Sequence, residues 1–479
     1  MKIGFISLDH LLDWHGTTRL IDRIAAAMVA RGHSIVIIAH EGKVSDKTPV
    51  STLSYPHNLI TVNLNDAHGF NEAREKIAAS SIDICVASMN DYRLVYISRL
   101  FRGTGIPYIL GEPEEPLTAA YEYRQPYEHY GSLAAADAIQ VLLAEYIPFY
   151  PQFMQSRIVD IGIPAPPLSD VDFISRRNKK ERTIVTVGRF NDTKKRFSLL
   201  LRAFALICNN FTEWKLKLVG DGPHWDYYFE ITRQLGIKNR VVFTGAVADT
   251  TPHYAEADIF CLPSRVEGFP LVLSEAAAHF LPLVGYRSCV ALDALIKPGM
   301  GVLIESPDTH ETLADTLRSL MMLSPEEREK IGIRASDRIE SSYSENIVFD
   351  KWEKLIIDTY EKVKISGETV LEKVLRMAET NKRIKLGTQW DGLTPDSLVW
   401  SEELLSSSAA EIATRGEFSS ASETLIANEE TEAASAAEIV RLRCEHAKLI
   451  QNYNELEKKH AALLGQFQTL AAKKPLRKR

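Results

Sequence analysis

At 479 residues the chain has room for about three domains of ~150 residues each. Its 45% hydrophobic and 25% charged content is that of a globular protein with a sizeable core, and a net charge of -7 excludes a globally basic nucleic-acid binder. Five scattered cysteines (Cys85, Cys208, Cys261, Cys289, Cys444) form no CxxC or Cys/His cluster, which argues against a zinc framework and for reduced thiols.

The opening MKIGFISLDHLLDW places Asp9 and Asp13 where a secretory signal needs apolar residues. No run reaches 18 apolar residues, so no membrane span is expected. The expected location is the cytoplasm, or the periphery of the inner face of a membrane. After the opening strand KIGFISL, residues 17–31 carry apolar side chains at helical spacing, Gly32 ends them, and SIVIIAH is a second strand. This is a βαβ unit, in which parallel strands need a crossover helix. DICVAS (83–88) and PYILG (107–111) continue the series. The stretch DYRLVYISRLFR (91–102) offers Arg93, Arg99 and Arg102 to a membrane surface, while a helix packed on the sheet explains its apolar positions equally well. Residues 1–165 thus read as a first α/β domain.

Residues 166–182, rich in proline and then in basic residues, read as a linker. The DVD within it, Asp170 to Asp172, has the form of an Asp-x-Asp metal motif, but no strand ends before it and a solvated turn is the preferred reading. A second α/β series fills 183–342 through TIVTVGRF, LKLVGDG, VVFTG, IFCLPS and PLVGY. Two doubly wound (Rossmann-like) domains facing a cleft are therefore expected. Residues 343–364 read as an amphipathic closing helix. The span 365–430, rich in Ala, Ser and Glu towards its end, reads as a partly disordered linker.

In 431–472, Leu442, Leu449, Leu456, Leu463 and Leu470 recur every seven residues, with Ile439, His446, Tyr453, His460 and Phe467 at the other seam position. That pattern predicts a C-terminal α-helical coiled coil for homo-oligomerisation or for docking to an assembly partner. The alternative is a lone amphipathic helix. The tail, 473–479, is basic; a solvated end is the default and contact with anionic lipid the other option.

Four strand-to-turn junctions of the second half carry chemistry. VGRF (187–190) ends a strand in Gly188 and Arg189, and Lys194, Lys195 and Arg196 follow; cations there suit a diphosphate. LVGDGP (218–223), with Gly220, and VVFTG (241–245) are further glycine turns. The fourth junction runs into PSRVEGFPLVLSEAAA, with Glu267 and Glu275 eight positions apart. Taken alone, these acids read as charges complementing a helix N-terminus.

As an ordered set, these motifs resemble retaining GT-B glycosyltransferases of family four, whose signature is a PSxxEGFGLVxLEAMA-like segment. The resemblance covers roughly residues 1–362 and is strongest over 183–305. It implies that Glu275 holds the ribose hydroxyls of a nucleotide-sugar donor and that Glu267 contacts the transferred sugar. A carboxylate is a two-oxygen acceptor that fits a vicinal diol. The loop Gly268, Phe269, Pro270 and Leu271 would present N–H groups to phosphate and sugar oxygens, with Phe269 and Leu271 as donors because Pro270 has no N–H. Arg189 and Lys195 would neutralise the departing diphosphate.

The first half departs from the family pattern. The Gly-Gly turn is replaced by HGTTR (15–19), where Gly16 could approach the donor phosphate or Thr17 and Thr18 could simply cap a helix. A histidine-containing turn is replaced by GEPEEP (111–116), which makes Glu112 or Glu114 a candidate base for the acceptor hydroxyl, or leaves them on a stiff surface turn. The PNG turn before the linker becomes IGIPAPP (161–167).

The expected activity is transfer of a hexose from a nucleotide sugar to a glycan, lipid-linked or protein acceptor, with retention of configuration. No metal and no cofactor beyond the sugar nucleotide are expected. The alternatives are a non-catalytic GT-B scaffold or chaperone subunit of a glycosylation complex, and a GT-B-like epimerase.

Overall fold

A computed structural model describes residues 1–6, 16–40, 55–64, 67–88, 94–101, 104–119, 126–150 and 152–366. The coiled coil, its linker and the basic tail lie outside the described residues, as do His15, Arg93 and Arg102.

The first 160 residues build one seven-stranded sheet. Its strands are β1 (Lys2–Ile6), β2 (Ser34–His40), β3 (Asn58–Val62), β4 (Ile84–Ser88), β5 (Tyr108–Glu112), β6 (Ala138–Val141) and β7 (Ile158–Asp160). Their order is β3-β2-β1-β4-β5-β6-β7, and every pair is parallel. A parallel sheet is covered on both faces, so its central strands are apolar throughout rather than alternating; β2 buries five consecutive residues. The helix Gly16–Ala30 supplies one cover. Ile21, Ile24, Ala25 and Met28 repeat at i, i+3, i+4 and i+7 and are all buried. Gly32, at φ +87°, ends that helical segment in a left-handed conformation that costs glycine little. In the helix Leu94–Phe101, Ile97, Leu100 and Phe101 are buried, so packing accounts for these apolar positions.

A second parallel sheet has β8 (Arg182–Val187), β9 (Trp214–Val219), β10 (Val241–Phe243), β11 (Ile259–Leu262), β12 (Leu283–Tyr286) and β13 (Gly301–Ile304). Its order is β10-β9-β8-β11-β12-β13. In each sheet the strand order reverses beside the first strand, between β1 and β4 and between β8 and β11. Those reversals open crevices at the carboxyl ends of the strands.

Between the sheets, Asp172 caps the helix Phe173–Asn178 by accepting the Ser175 N–H at 3.0 Å. The acid of the Asp-x-Asp run thus has a local structural role. The last helix, Glu345–Ser366, returns to the first domain. Its Val348, Phe349, Trp352, Leu355 and Ile356 are buried in one cluster with Ile3, Phe5, Ile21 and Ile37. Arg23–Glu345 at 2.7 Å and Arg31–Asp350 at 2.6 Å line the rim of that contact.

Candidate active site

Three strand ends of the second sheet are tied into one platform. The Gly188 N–H donates to Val219 O at 3.0 Å, Phe190 N–H to Asp221 O at 2.8 Å and Gly220 N–H to Gly245 O at 3.1 Å. Glycine is required because the turns touch. A Cβ on Gly220 would lie 2.0 Å from Gly188 O, and one on Gly222 would lie 2.7 Å from Phe190 backbone atoms. The immediate cause of Gly220 is therefore turn-on-turn packing, which sets the place of Arg189. Phe190 anchors the platform from below, buried among the rings of Phe197, Trp225, Tyr228 and Phe243. Next to it the Arg189 side chain is exposed, with no protein partner among the described residues.

A short helix, Asp192–Lys195, follows, capped by Asn191. It delivers Lys195 to Glu267: Nζ stands 2.6 Å from Oε1, and Ser264 donates its hydroxyl to the same oxygen at 2.5 Å. Both charged side chains keep some exposure, 19% for Lys195 and 10% for Glu267. A cation and an acceptor therefore meet at a surface that a substrate can reach.

Arg196 behaves differently from its neighbours. Its backbone is left-handed, at φ +50°, and its guanidinium turns inward. There it donates to Pro263 O at 2.8 Å and Ser264 O at 3.1 Å, pairs with Asp308 at 2.8 Å, and lies 4.8 Å from the Tyr286 ring centroid. Of the basic run, Arg196 is committed to holding the loop that carries Glu267 and does not join Lys195 as a free cation.

The helix Leu271–Ala278 starts at Pro270 with no side-chain cap. Its first N–H groups have no helical partner by geometry. Among the described residues the N–H groups of Gly268 and Phe269 also have no protein acceptor. One turn in, Glu275 accepts from the Tyr254 hydroxyl at 2.8 Å and from Thr250 at 3.5 Å. Burial first, and the Glu275 charge second, push the Tyr254 phenol well above its ordinary range, so it stays a donor. The Phe269 ring is buried against Tyr343, with centroids 5.1 Å apart, and Leu271 is exposed.

The first domain contributes to the same loop. Tyr146, fully buried in the 3-10 turn Ala144–Phe149, donates to the carbonyls of Glu267 at 2.7 Å and Gly268 at 2.8 Å. A Cβ on Gly268 would meet Pro113 O at 3.0 Å and Glu114 Cα at 3.2 Å.

The expectation for Glu112 needs correction. It is neither on a surface turn nor presented to a substrate: it is 1% exposed, with His129 Nε2 3.1 Å away and 0% exposed. β5 continues through residue 112, and a strand inside a covered sheet carries its last side chain inward. Glu114 is half-buried beside Gly268. Glu115 caps the turn that follows by accepting the Thr118 N–H at 2.8 Å. Gly16 begins the helix Gly16–Ala30.

Residues 169–338 match the family model described as glycosyl transferases group 1. An uncharacterized glycosyltransferase of Haemophilus influenzae is 23% identical over 342 residues, covering 66% of this chain and 94% of that protein. A Campylobacter jejuni alpha-1,4-N-acetyl-D-galactosaminyltransferase acting on a diNAcBac-PP-undecaprenol-linked glycan is 24% identical, covering 75% of this chain and 99% of that protein. Against several other relatives the chain spans only 20% to 56% of their length. Among solved structures, Anabaena Alr3699/HepE in complex with UDP and glucose aligns with TM-score 0.59 at 17% identity, over 74% of this chain and 98% of that one. Residues 169–338 thus match the glycosyl transferases group 1 family, and the two parallel sheets have the GT-B fold of the solved glycosyltransferases.

Proposed function

We propose that the protein moves a hexose from a nucleotide sugar to an acceptor hydroxyl with retention of configuration. The observation that carries this reading is the cluster of Lys195, Glu267 and Ser264 beside the open N–H groups of 268–269, one helical turn from Glu275. Glu275 takes the ribose hydroxyls, and the Gly268 and Phe269 N–H groups take diphosphate oxygens. Glu267 accepts from the sugar. In the reaction the bond from the anomeric carbon to the diphosphate oxygen breaks and a bond to the acceptor oxygen forms. The departing phosphate oxygen takes the acceptor's proton. Arg189 and Lys195 stabilise the charge that develops there, the role a metal ion serves in other enzymes, so no metal is invoked. A non-catalytic scaffold would have no use for this set.

The Campylobacter relative's name favours a lipid-linked glycan among the acceptor classes. Among the described residues no helix is long and apolar enough to cross a membrane. Work at the inner face of a membrane, with the heptad segment as the oligomerisation or docking element, is part of the proposal.

The test is binding and hydrolysis across UDP-, GDP- and ADP-sugars, wild type beside Glu275→Ala. Selective binding of one donor, weakened in the variant, supports the reading. A folded protein that binds none of them overturns it.

A further inference from the structure

We propose that Tyr146, a residue of the first domain, is a positioning residue for the donor site in the second, orienting the N–H groups of Gly268 and Phe269. The inference rests on the transferase reading above and adds a part that no motif marks.

The argument is one of peptide geometry. A trans peptide is planar, and its C=O and N–H point in opposite directions. The Glu267 carbonyl shares its peptide plane with the Gly268 N–H, and the Gly268 carbonyl shares its plane with the Phe269 N–H. Tyr146 divides its single hydroxyl proton between those two carbonyls, at 2.7 and 2.8 Å. Holding both carbonyls on the Tyr146 side turns both N–H groups to the opposite side. Those are the N–H groups that have no protein acceptor among the described residues. A hydrogen bond to a peptide carbonyl also polarises the amide and strengthens its N–H as a donor.

The rest of the contact fixes the loop from the same side. Gly268 rests closely on the backbone of Pro113 and Glu114, where a Cβ would stand 3.0 Å from Pro113 O and 3.2 Å from Glu114 Cα. The Phe269 ring fills a slot against Tyr343 and Gly162, where a Cβ on Gly162 would come within 2.9 Å of that ring. Burial raises the Tyr146 phenol far above neutral pH, so the proton it shares is always present. The diphosphate half of the donor site therefore depends on the other domain, while the ribose half, Glu275 with Tyr254 and Thr250, is built within the second domain alone.

This division gives the test. Tyr146→Phe keeps the buried ring and deletes the hydroxyl. Binding of UDP, GDP and ADP, and of the corresponding nucleosides, is measured by calorimetry on wild type and variant. The expected result is about a tenfold loss for the diphosphate that wild type binds, with its nucleoside changed less than about twofold. Unchanged diphosphate affinity, or equal loss of diphosphate and nucleoside, overturns the role of Tyr146. Should Tyr146→Phe fail to fold, Gly268→Ala tests the same point. Its new methyl group would stand 3.0 Å from Pro113 O and 3.2 Å from Glu114 Cα, close enough to press the loop away from the Tyr146 side, and the same selective loss of diphosphate binding is expected. A folded Gly268→Ala protein with unchanged diphosphate binding overturns the proposal. If wild type binds no nucleotide at all, the transferase reading falls and the role of Tyr146 with it, an outcome distinct from a variant that matches a binding wild type.

Discussion

Glu267, beyond the end of β11 in the second domain, and Glu112, at the end of β5 in the first, both lie beside a basic side chain. Lys195 stands 2.6 Å from Glu267, and His129 stands 3.1 Å from Glu112. The difference is water. The Lys195–Glu267 pair keeps 19% and 10% exposure, whereas the His129–Glu112 pair keeps 0% and 1%. A partly wet ion pair costs little to open, so a ligand can compete for either member. A buried pair is costly to break, because the polar group left behind has no solvent to replace its partner. Two acids that look alike in sequence therefore divide into one that a ligand can reach and one that is tied inside its domain.

The largest effect that tests this division is on turnover. Lys195→Met and Glu267→Gln should each lower kcat for transfer by about a hundred- to thousandfold, with the melting temperature nearly unchanged. If Glu112→Gln lost as much turnover in a fully folded protein, the division would break. Next comes stability. His129→Leu leaves Glu112 without its imidazole and should cost about 3 kcal/mol in urea unfolding. A cost near zero would mean that the pair is not a tie.

A smaller effect concerns the proposed ribose contact. Tyr254→Phe removes one donor from Glu275 and should raise the donor KM by about three- to tenfold while kcat holds. A fall in kcat alone would move Glu275 from binding to chemistry. The smallest is a pH effect in the first domain. Burial pushes the Asp22 carboxyl up to about 6, against the hydrogen bond from Tyr55 and the charge of His57 that pull it down. Its proton is held more tightly in the folded than in the unfolded chain. That contribution to stability is complete below about pH 4 and is lost as pH rises through about 6. Asp22→Asn should therefore be more stable than wild type by about 1 kcal/mol at pH 7, a figure discounted for partial solvent screening. The difference should vanish at pH 4 in parallel denaturation curves.

Much of both sheets was legible because the information is local. KIGFI and SIVIIAH in the first, and TIVTV and IFCL in the second, are apolar runs closed by glycine, proline or charge, and all are strands. The run from VGRF to PSRVEGFP gave Lys195 and Glu267, which the fold brings together. Short strands such as β6 (AIQV) and β7 (IVD) escaped notice because three or four residues carry no periodicity. Ser264 had a usable signal, lying three residues before Glu267 in the same motif. Tyr146 had none: it is 121 residues from Glu267, in a turn with no pattern. Arg196 was misread because a basic run suggests a shared role, whereas a left-handed backbone at one residue sends its side chain inward. His129 had no signal either, since only the fold places it against Glu112.

The return of the last helix to the first domain has a consequence for synthesis. The strands of that domain are complete once residue 160 has been made, but Phe349 and Trp352 of its core are encoded about 190 residues later. At ~5–20 residues per second the nascent sheet waits about 10–40 seconds for the part of its core that Phe349 and Trp352 fill. The second domain must therefore be threaded and folded while the first stays open. A chain cut before residue 345 would keep the residues of both sheets but lose Phe349 and Trp352 from the first core.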